Sequence, residues 1–176
     1  AQDRVSEKTF VEHLGGRPAP WAEVNSRADL DAAIARIGTP GILKTRRDGY
    51  DGKGQWRIMT PDDAEALDLP EKQLVYEGFV DFRAEFSVLL CRGQDGDIRF
   101  WDTPENVHKG GILDTSTVPG SDLVQSEVAE ARALAGKVAE ALGYVGVLTL
   151  EFFATENGPV FNEMAPRVHN SGHWTI

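Results

Sequence analysis

The sequence contains only one cysteine, Cys91, in a chain of 176 residues. No disulfide can form within one copy of such a chain, so a disulfide-stabilised fold is excluded. Cys91 follows the apolar run FSVLL, where a small buried thiol is a better interpretation than a nucleophile or a metal ligand. We therefore expect a reducing, cytoplasmic setting.

Basic residues and long apolar runs are also scarce. The 28 Asp and Glu residues outnumber the 18 Lys and Arg residues, which gives a net charge of −10. Broad attraction to nucleic acid or to an anionic membrane is not expected, and any phosphate site must be built locally. No apolar stretch approaches the roughly 20 residues of a membrane span, and the N-terminus lacks a signal-peptide pattern. The opening AQDRVSEK has no initiator Met, and we expect the sequence to be a piece of a longer protein.

The residues that are present have the pattern of an α+β protein. Hydrophobic residues make up 41% of the chain, which suits one domain or two small lobes. Apolar residues at helical spacing predict helices over residues 3–14, 26–37, 60–67 and 121–142. Segments rich in β-branched and aromatic residues predict strands over residues 41–45, 55–59, 73–80, 84–92 and 97–103. Mostly hairpin-linked strands indicate antiparallel sheets, with a break between two lobes near Gly78.

The stretch LKTRRDGYDGKGQW, from Leu43 to Trp56, is a candidate phosphate loop. Its three glycines, Gly49, Gly52 and Gly54, allow turns that point several backbone N–H groups at one anion. Its basic residues add positive charge: Lys44, Arg46, Arg47 and Lys53. The segment after the glycines is predicted to be a strand, so the pattern is not the loop that opens a helix in many nucleotide-binding proteins. A flexible hairpin turn with solvated basic residues is the alternative, and by itself the stretch favours it.

The stretch LTLEFFATENGPVFNEMAPRVHNSGH holds two apolar segments around a polar turn, Thr155 to Gly158. A β-hairpin symmetric about Asn157 would place Glu151 and Glu163 directly opposite each other. Like charges in that position are destabilising unless something offsets the repulsion, and a shared divalent cation would do so. Carboxylate oxygens favour Mg²⁺ or Mn²⁺.

Other polar residues give weaker signals. Glu77 and Glu85, in YEGFVDFRAEF, are either ordinary exposed strand residues or part of a binding site. In that site, backbone groups near Glu77 to Val80 would meet a planar base and Glu85 would meet sugar hydroxyls. TPENVHKGGIL, residues 103–113, has the composition of a turn-rich loop. His169 and His173 lack the cysteines and the helical spacing of a zinc site.

Taken in order, LKTRRDGYDGKGQW, YEGFVDFRAEFSV, ENVHKGGIL and FNEMAPRVHNSGHWTI resemble the ATP-grasp part of the 5-(carboxyamino)imidazole ribonucleotide synthetases of purine biosynthesis. The resemblance covers nearly the whole chain. It implies the ATP-grasp fold, in which two lobes have antiparallel sheets flanked by helices. It also implies a linker helix over residues 1–28 after a preceding domain, a small lobe with a glycine-rich lid over residues 29–77, and a large lobe with the metal site over residues 78–176, which continues beyond this sequence.

The resemblance also implies roles for individual residues. Arg4 and Lys44 match residues that contact the ATP phosphates, and residues 49–55, with Gly49, Gly52, Gly54 and Gln55, match a mobile lid over them. The adenine-binding hinge matches residues 77–80, which are Glu77, Gly78, Phe79 and Val80. Glu85 matches the acid that binds the ribose. Glu151 and Glu163 match the acidic pair that holds Mg²⁺. The ribonucleotide would meet Tyr50, Asp51, Lys53 and Asn170. The catalytic candidates beside the reacting groups are Arg167, His169 and Lys53.

The implied reaction joins bicarbonate to the amine of aminoimidazole ribonucleotide through carboxyphosphate while ATP is split. Other ATP-grasp enzymes often carry an Asn two residues after the second metal glutamate, where this sequence has Ala165, so the role of Asn162 stays open. Members of the family continue beyond both ends of this chain and are usually dimers, so we expect the segment alone to be incomplete. Two alternatives remain: an ATP-grasp ligase with a different acceptor, and a non-catalytic ATP-binding module.

Overall fold

The computed structural model describes residues 3–47 and 54–175. These residues form two compact units. The smaller unit contains Ala19–Val80 and the chain up to Lys8, and the larger unit contains Thr9–Pro18 and the chain from Asp81 onward. Helix α1, Arg4–His13, contributes its first half to the smaller unit and its second half to the larger one.

The smaller unit is built on a four-stranded antiparallel sheet. Its strands are β1 (Trp21–Val24), β2 (Gly41–Thr45), β3 (Gln55–Ile58) and β4 (Leu74–Gly78), in the spatial order β1-β4-β2-β3. Helices α2 (Arg27–Ile37) and α3 (Pro61–Ala66) complete it. Its core is formed by fully or almost fully buried apolar side chains, which include Val24, Leu30, Leu43, Ile58, Leu74 and Tyr76.

Local sequence signals fix the ends of these two helices. Before α2, the Ser26 side chain accepts a hydrogen bond from the Asp29 N–H, and Gly38 ends the helix with φ of 89°. Before α3, Thr60 and Asp63 each bind the other's backbone N–H in a capping box. Polar groups at the helix starts are thereby satisfied by residues that the sequence supplies nearby.

The larger unit is built on a six-stranded antiparallel sheet. Its strands are β5 (Ala84–Arg92), β6 (Ile98–Phe100), β7 (Glu105–Lys109), β8 (Ile112–Thr117), β9 (Gly146–Thr155) and β10 (Gly158–Ala165). The order is β10-β9-β5-β7-β8, and β6 also pairs with β5. Helix α4 (Asp122–Ala141) packs on this sheet, and a 3₁₀ helix (Asn170–Thr175) comes after β10. Across the described part of the chain, no helix combines the length and the apolar character that crossing a lipid bilayer requires.

The two faces of the larger sheet differ in polarity. Along β5, Phe86, Val88 and Leu90 join the core beneath α4, and Glu85 and Ser87 alternate with them. Along β9, Leu148, Leu150 and Phe152 do the same, and Thr149 and Glu151 alternate with them. Successive strand residues point to opposite faces. The face turned away from α4 therefore carries polar and acidic groups, including Glu85 and Glu151.

Two sequence-based predictions differ from this fold. The segment predicted as a turn-rich loop is the β7–β8 hairpin, which turns at Gly110 and Gly111 with φ of 60° and 82°. The segment predicted as a linker helix, residues 1–28, contains α1 and then β1, which pairs with β4 in the smaller sheet. In both places most side chains are exposed or half-buried, so strand formation depends on pairing and the residues give little local signal.

Candidate functional site

Glu151 and Glu163 face each other across the β9–β10 pair. The prediction that they are cross-strand neighbours is confirmed, but the register that was assumed near the turn is wrong. There Gly158 pairs with Thr155 and Phe161 pairs with Phe152, one residue away from a hairpin symmetric about Asn157. A β-bulge between Phe161 and Glu163 then shifts the register by one residue and brings the two glutamates opposite each other.

The bulge is a consequence of the apolar pattern of β10. Phe161 and Met164 both belong to the core beneath α4, although three positions separate them and regular strand alternation requires an even number. One extra residue, Asn162, resolves this conflict. If Asn162 were a regular strand residue instead of a bulge, Glu163 would face the apolar core, because a one-residue slip moves every side chain to the other face.

Glu151 is a buried carboxyl group with an acid as its neighbour. It is 8% exposed, and burial, followed by the charge of Glu163, raises its pKa to about 7. Among the described residues its Oε1 atom accepts no hydrogen bond. A buried, unsatisfied carboxylate oxygen beside a second carboxylate fits a divalent cation, which would relieve both the desolvation and the repulsion.

His169 lies at the same point, and its Nδ1 is already engaged by Ser171. Ligand atoms of Glu151, Glu163 and His169 all lie within 4.8 Å of one another. The Ser171 N–H donates to His169 Nδ1 at 3.3 Å, and burial lowers the pKa of the ring, which favours the neutral form. Ser171 Oγ lies 2.9 Å from the same nitrogen, and the other ring nitrogen, Nε2, lies 3.6 Å from Glu151 Oε1. The oxygens of the two glutamates therefore remain the ligands that fit Mg²⁺ or Mn²⁺.

Other predicted residues of the larger unit lie around this acidic pair. Glu85 shares the polar face of the sheet and contacts His108 Nδ1 on β7, and this hydrogen bond raises the pKa of His108. Arg167 is exposed in the segment after β10, and its charge acts on Glu151. Asn170 is exposed at the start of the 3₁₀ helix.

The smaller unit contains a buried cluster of charges. Lys44 Nζ on β2 lies 2.9 Å from Glu77 Oε2 on β4, and Lys8 Nζ on α1 lies 3.2 Å from Glu77 Oε1. Burial alone would raise the pKa of Glu77, but Lys44 and Lys8 more than offset this and hold it below its ordinary value. Two ammonium groups thus face one carboxylate in a site that is almost closed to solvent.

Hydrogen bonds within the smaller unit also involve Arg4 and the predicted hinge. The Arg4 N–H donates to the Arg46 carbonyl at 3.0 Å, and Arg46 Nε donates to both carboxylate oxygens of Asp3 at 2.8 Å. In the predicted hinge, the Gly78 N–H donates to Pro20 and the Phe79 N–H to Pro40. Two hinge donors are therefore engaged within the unit.

The predicted glycine-rich lid falls mostly outside the described residues. Gly49, Tyr50, Asp51, Gly52 and Lys53 are not among them. At the far end, Gly54 has φ of 68° and accepts a hydrogen bond from the Thr45 N–H at 2.8 Å, and Gln55 pairs with Lys44 across β2 and β3. The stretch is thus bounded by an antiparallel pair, as a hairpin connection requires.

Lys8 and His108 are the site residues that sequence reasoning missed. Lys8 lies four positions after Arg4 and three before Val11, which is fully buried. That spacing puts the three residues on one helix face and could have indicated a buried lysine. His108 gave no comparable signal, because the strand that orients it was predicted to be a loop.

Comparison with known proteins agrees with this geometry. An ATP-grasp domain model matches residues 9–176. The N5-carboxyaminoimidazole ribonucleotide synthase of Brucella melitensis is 48% identical over 99% of this chain, which spans 49% of that protein. The chain thus spans about half the length of the curated relatives it matches.

Solved structures show the same similarity. The N5-carboxyaminoimidazole ribonucleotide synthetase of Thermus thermophilus is 46% identical, with a TM-score of 0.91 over 99% of this chain and 48% of that one. The Aspergillus clavatus synthase, solved with ADP and 5-aminoimidazole ribonucleotide, is 28% identical, with a TM-score of 0.85 over 99% of this chain and 46% of that one.

Proposed function

We propose a function from the premise that this chain belongs to the ATP-grasp domain family. The whole protein that carries it joins bicarbonate to the exocyclic amine of aminoimidazole ribonucleotide and splits ATP to ADP and phosphate. The product is 5-(carboxyamino)imidazole ribonucleotide. The observation that carries the proposal is the cross-strand pair of the buried Glu151 and the half-buried Glu163, in a chain 48% identical to part of a synthase of that name.

In the smaller unit, Lys44 and Arg4 bind phosphate oxygens of ATP. Support comes from the position of Lys44, whose ammonium group is buried and lies 2.9 Å from Glu77 Oε2. The loop 49–55 covers the phosphates in this proposal. The hinge residues 77–80 meet adenine, and because two of their N–H groups are engaged, the carbonyl groups and the Val80 N–H are the groups proposed to recognise the base.

In the larger unit, Glu85 accepts hydrogen bonds from the ribose hydroxyls, and Glu151 with Glu163 holds Mg²⁺ or Mn²⁺. The contact with His108 fixes one oxygen of Glu85 and leaves the other for a hydroxyl. When bound, the cation neutralises charge on the transferring phosphoryl oxygens. The raised pKa of Glu151 means that a proton competes with the cation for this site.

The reaction proceeds in two displacements. An oxygen of bicarbonate attacks the γ-phosphorus, ADP leaves, and carboxyphosphate forms. The amine nitrogen then attacks the carboxyl carbon, loses a proton, and phosphate leaves. Arg167 stabilises negative charge on the carboxyphosphate, and His169, whose Nε2 lies 3.6 Å from Glu151 Oε1, lies beside the reacting groups. Lys53, Tyr50, Asp51 and Asn170 are the residues proposed to meet the ribonucleotide.

The acceptor amine is the part of the proposal that an experiment decides most directly. ADP release by the whole protein is measured with Mg-ATP and bicarbonate, with and without aminoimidazole ribonucleotide. We expect strong stimulation by aminoimidazole ribonucleotide and none by glycinamide ribonucleotide, which has a different amine. Stimulation by another amine alone would assign a different ligase, and tight ATP binding without turnover under all conditions would assign a non-catalytic module.

A further inference from the structure

We infer that Lys8 is a positioning residue, which holds the Glu77 carboxylate so that Glu77 fixes the ammonium group of Lys44 where ATP phosphates bind. This inference rests on the proposed function of Lys44. Lys8 itself touches neither substrate nor metal in the proposal and acts through Glu77.

The geometry shows one carboxylate shared between two lysines. Lys8 Nζ lies 3.2 Å from Oε1 of Glu77, and Lys44 Nζ lies 2.9 Å from Oε2. The Lys44 contact is a hydrogen bond, whereas the Lys8 contact is an ion pair without hydrogen-bond geometry. The side chains of Lys8, Glu77 and Lys44 are 3%, 7% and 11% exposed, so solvent screens these charges little.

A lysine is a costly residue to bury for packing alone. Lysine is almost never fully buried unless it is paired, and a well-packed apolar residue of similar volume is often as stable or more stable. Burial does lower the pKa of Lys8, and Glu77 opposes that change. A buried charge at this place therefore points to a use for the charge itself.

The sheet register shows what that use is. Ile42 pairs with Glu77 and Lys44 pairs with Val75, so Lys44 and Glu77 are diagonal neighbours on one face of the β2–β4 pair. A long side chain reaches such a neighbour. With Lys8 removed, Glu77 could turn both oxygens toward Lys44 and draw its ammonium group away from a phosphate. Lys8 occupies the second oxygen and so limits Glu77 to one contact with Lys44.

The test compares two variants of the whole protein, Lys8→Met and Lys8→Arg, with Lys72→Met as the matched control. Lys72 is an exposed lysine of the same unit. The Met variant removes the charge and keeps the length, whereas the Arg variant keeps the charge but offers a fork that can take both oxygens of Glu77. Dissociation constants are measured calorimetrically for Mg-ATP and for AMP, and folding is followed by circular dichroism and melting.

We expect both Lys8 variants to bind Mg-ATP about tenfold more weakly, the scale of one charged hydrogen bond. The loss should be smaller for AMP, which has one phosphate group where ATP has three, and Lys72→Met should behave as the unmodified protein. A purely structural role predicts equal loss for both nucleotides, or no loss in Lys8→Arg. If Lys8→Met does not fold, the inference is tested by Lys8→Arg alone. An Mg-ATP affinity equal to that of the unmodified protein in Lys8→Arg overturns the inference.

A double-mutant cycle tests whether Lys8 acts through Glu77. In the Glu77→Gln background, Lys8→Met should add little further loss of Mg-ATP affinity, and additive losses would contradict action through Glu77. Failure of the proposed function would look different. An unmodified protein that does not bind Mg-ATP would remove that function, whereas a binding protein indifferent to Lys8 removes only this inference.

Discussion

Each compact unit buries one glutamate on a sheet, and the two carboxyl groups have opposite surroundings. Glu77 in the smaller unit is 5% exposed and lies between Lys44 and Lys8, which keep its pKa below the ordinary value. Glu151 in the larger unit is 8% exposed and faces Glu163, and burial with that neighbouring charge raises its pKa to about 7. Similar burial thus gives opposite shifts of pKa, because the neighbouring charges have opposite sign.

This contrast distinguishes a carboxylate between two cations of the chain from one that faces a second acid. Glu77 has two resident cations and acts on its neighbours by placing them. Glu151 has an oxygen without a hydrogen bond among the described residues, and a second acid at the same point. Burial alone therefore does not indicate a ligand site, whereas burial beside a like charge makes Glu151 a candidate for one.

The largest effect is expected from Glu163→Gln in the whole protein. The amide keeps the size of the side chain but is a poor ligand for Mg²⁺, and the lost charge stabilisation of several kcal/mol should lower ADP release by about 1,000-fold or more. Without Mg²⁺ the melting temperature should be unchanged or higher, because a repulsive charge is gone. Glu140→Gln, an exposed acid on α4, is the control. A Glu163→Gln protein with unmodified turnover would exclude Glu163 as a metal ligand.

The next effect separates the two buried acids by stability. Glu77→Gln leaves two buried ammonium groups without a carboxylate, and breaking such a pair costs about 3–5 kcal/mol. Glu151→Gln removes a repelled charge and should be neutral or stabilising in the absence of metal. Hydrogen exchange of amides in β2 and β4 for the first variant, and in β9 and β10 for the second, measures each locally. Similar losses of protection in Glu77→Gln and Glu151→Gln would contradict the difference proposed between the two acids.

The pH dependence of stability gives a third test, in protein kept free of metal with a chelator. The folded pKa of Glu151, about 7, exceeds its ordinary value of 4.5, so between these values the folded state binds more protons than the unfolded one. Stability should therefore fall as pH rises from about 4.5 to about 7, by on the order of 3 kcal/mol, and then level off. Glu77 contributes in the opposite direction, since its stabilisation is lost as pH falls.

Denaturation midpoints at several pH values measure this slope. Glu151→Gln should remove the decline between about pH 4.5 and 7, and Glu140→Gln should leave it. A decline that persists unchanged in Glu151→Gln would show that other groups cause it.

The acid pair was predicted correctly from a hairpin that was itself wrong. The hairpin symmetric about Asn157 was displaced by one residue at the turn, and the bulge between Phe161 and Glu163 cancelled that error. The bulge itself could have been predicted, since Phe161 and Met164 are apolar at a spacing that regular alternation forbids. The helices that begin after Ser26 and Thr60 were predicted from local signals and were confirmed.

Features that depend on distant pairing were not predicted. Strands β1, β7 and β8 have few buried side chains, and the sheets to which they add decide their conformation. The contact of Lys8 was not predicted for the same reason. Its partner Glu77 is far away in sequence, and only the folded smaller unit brings them together. Local patterns thus identified the acids, and tertiary contacts decided which of them are neutralised.

The smallest effect sharpens the contrast within the larger unit alone. Glu85 shares the polar face with Glu151, yet it has a resident partner, because its hydrogen bond raises the pKa of His108. Glu85→Gln should therefore lower the pKa of His108, followed by NMR titration of the ring, and should change stability little since both side chains are partly exposed. The part of the stability that the pair supplies is present at low pH and lost as pH rises through the folded pKa of His108. The ring signals of His13, which contacts Thr9 on α1, should be unaffected. An unchanged His108 titration would mean that Glu85 does not set the protonation of His108, and the contrast between Glu85 and Glu151 would then fail.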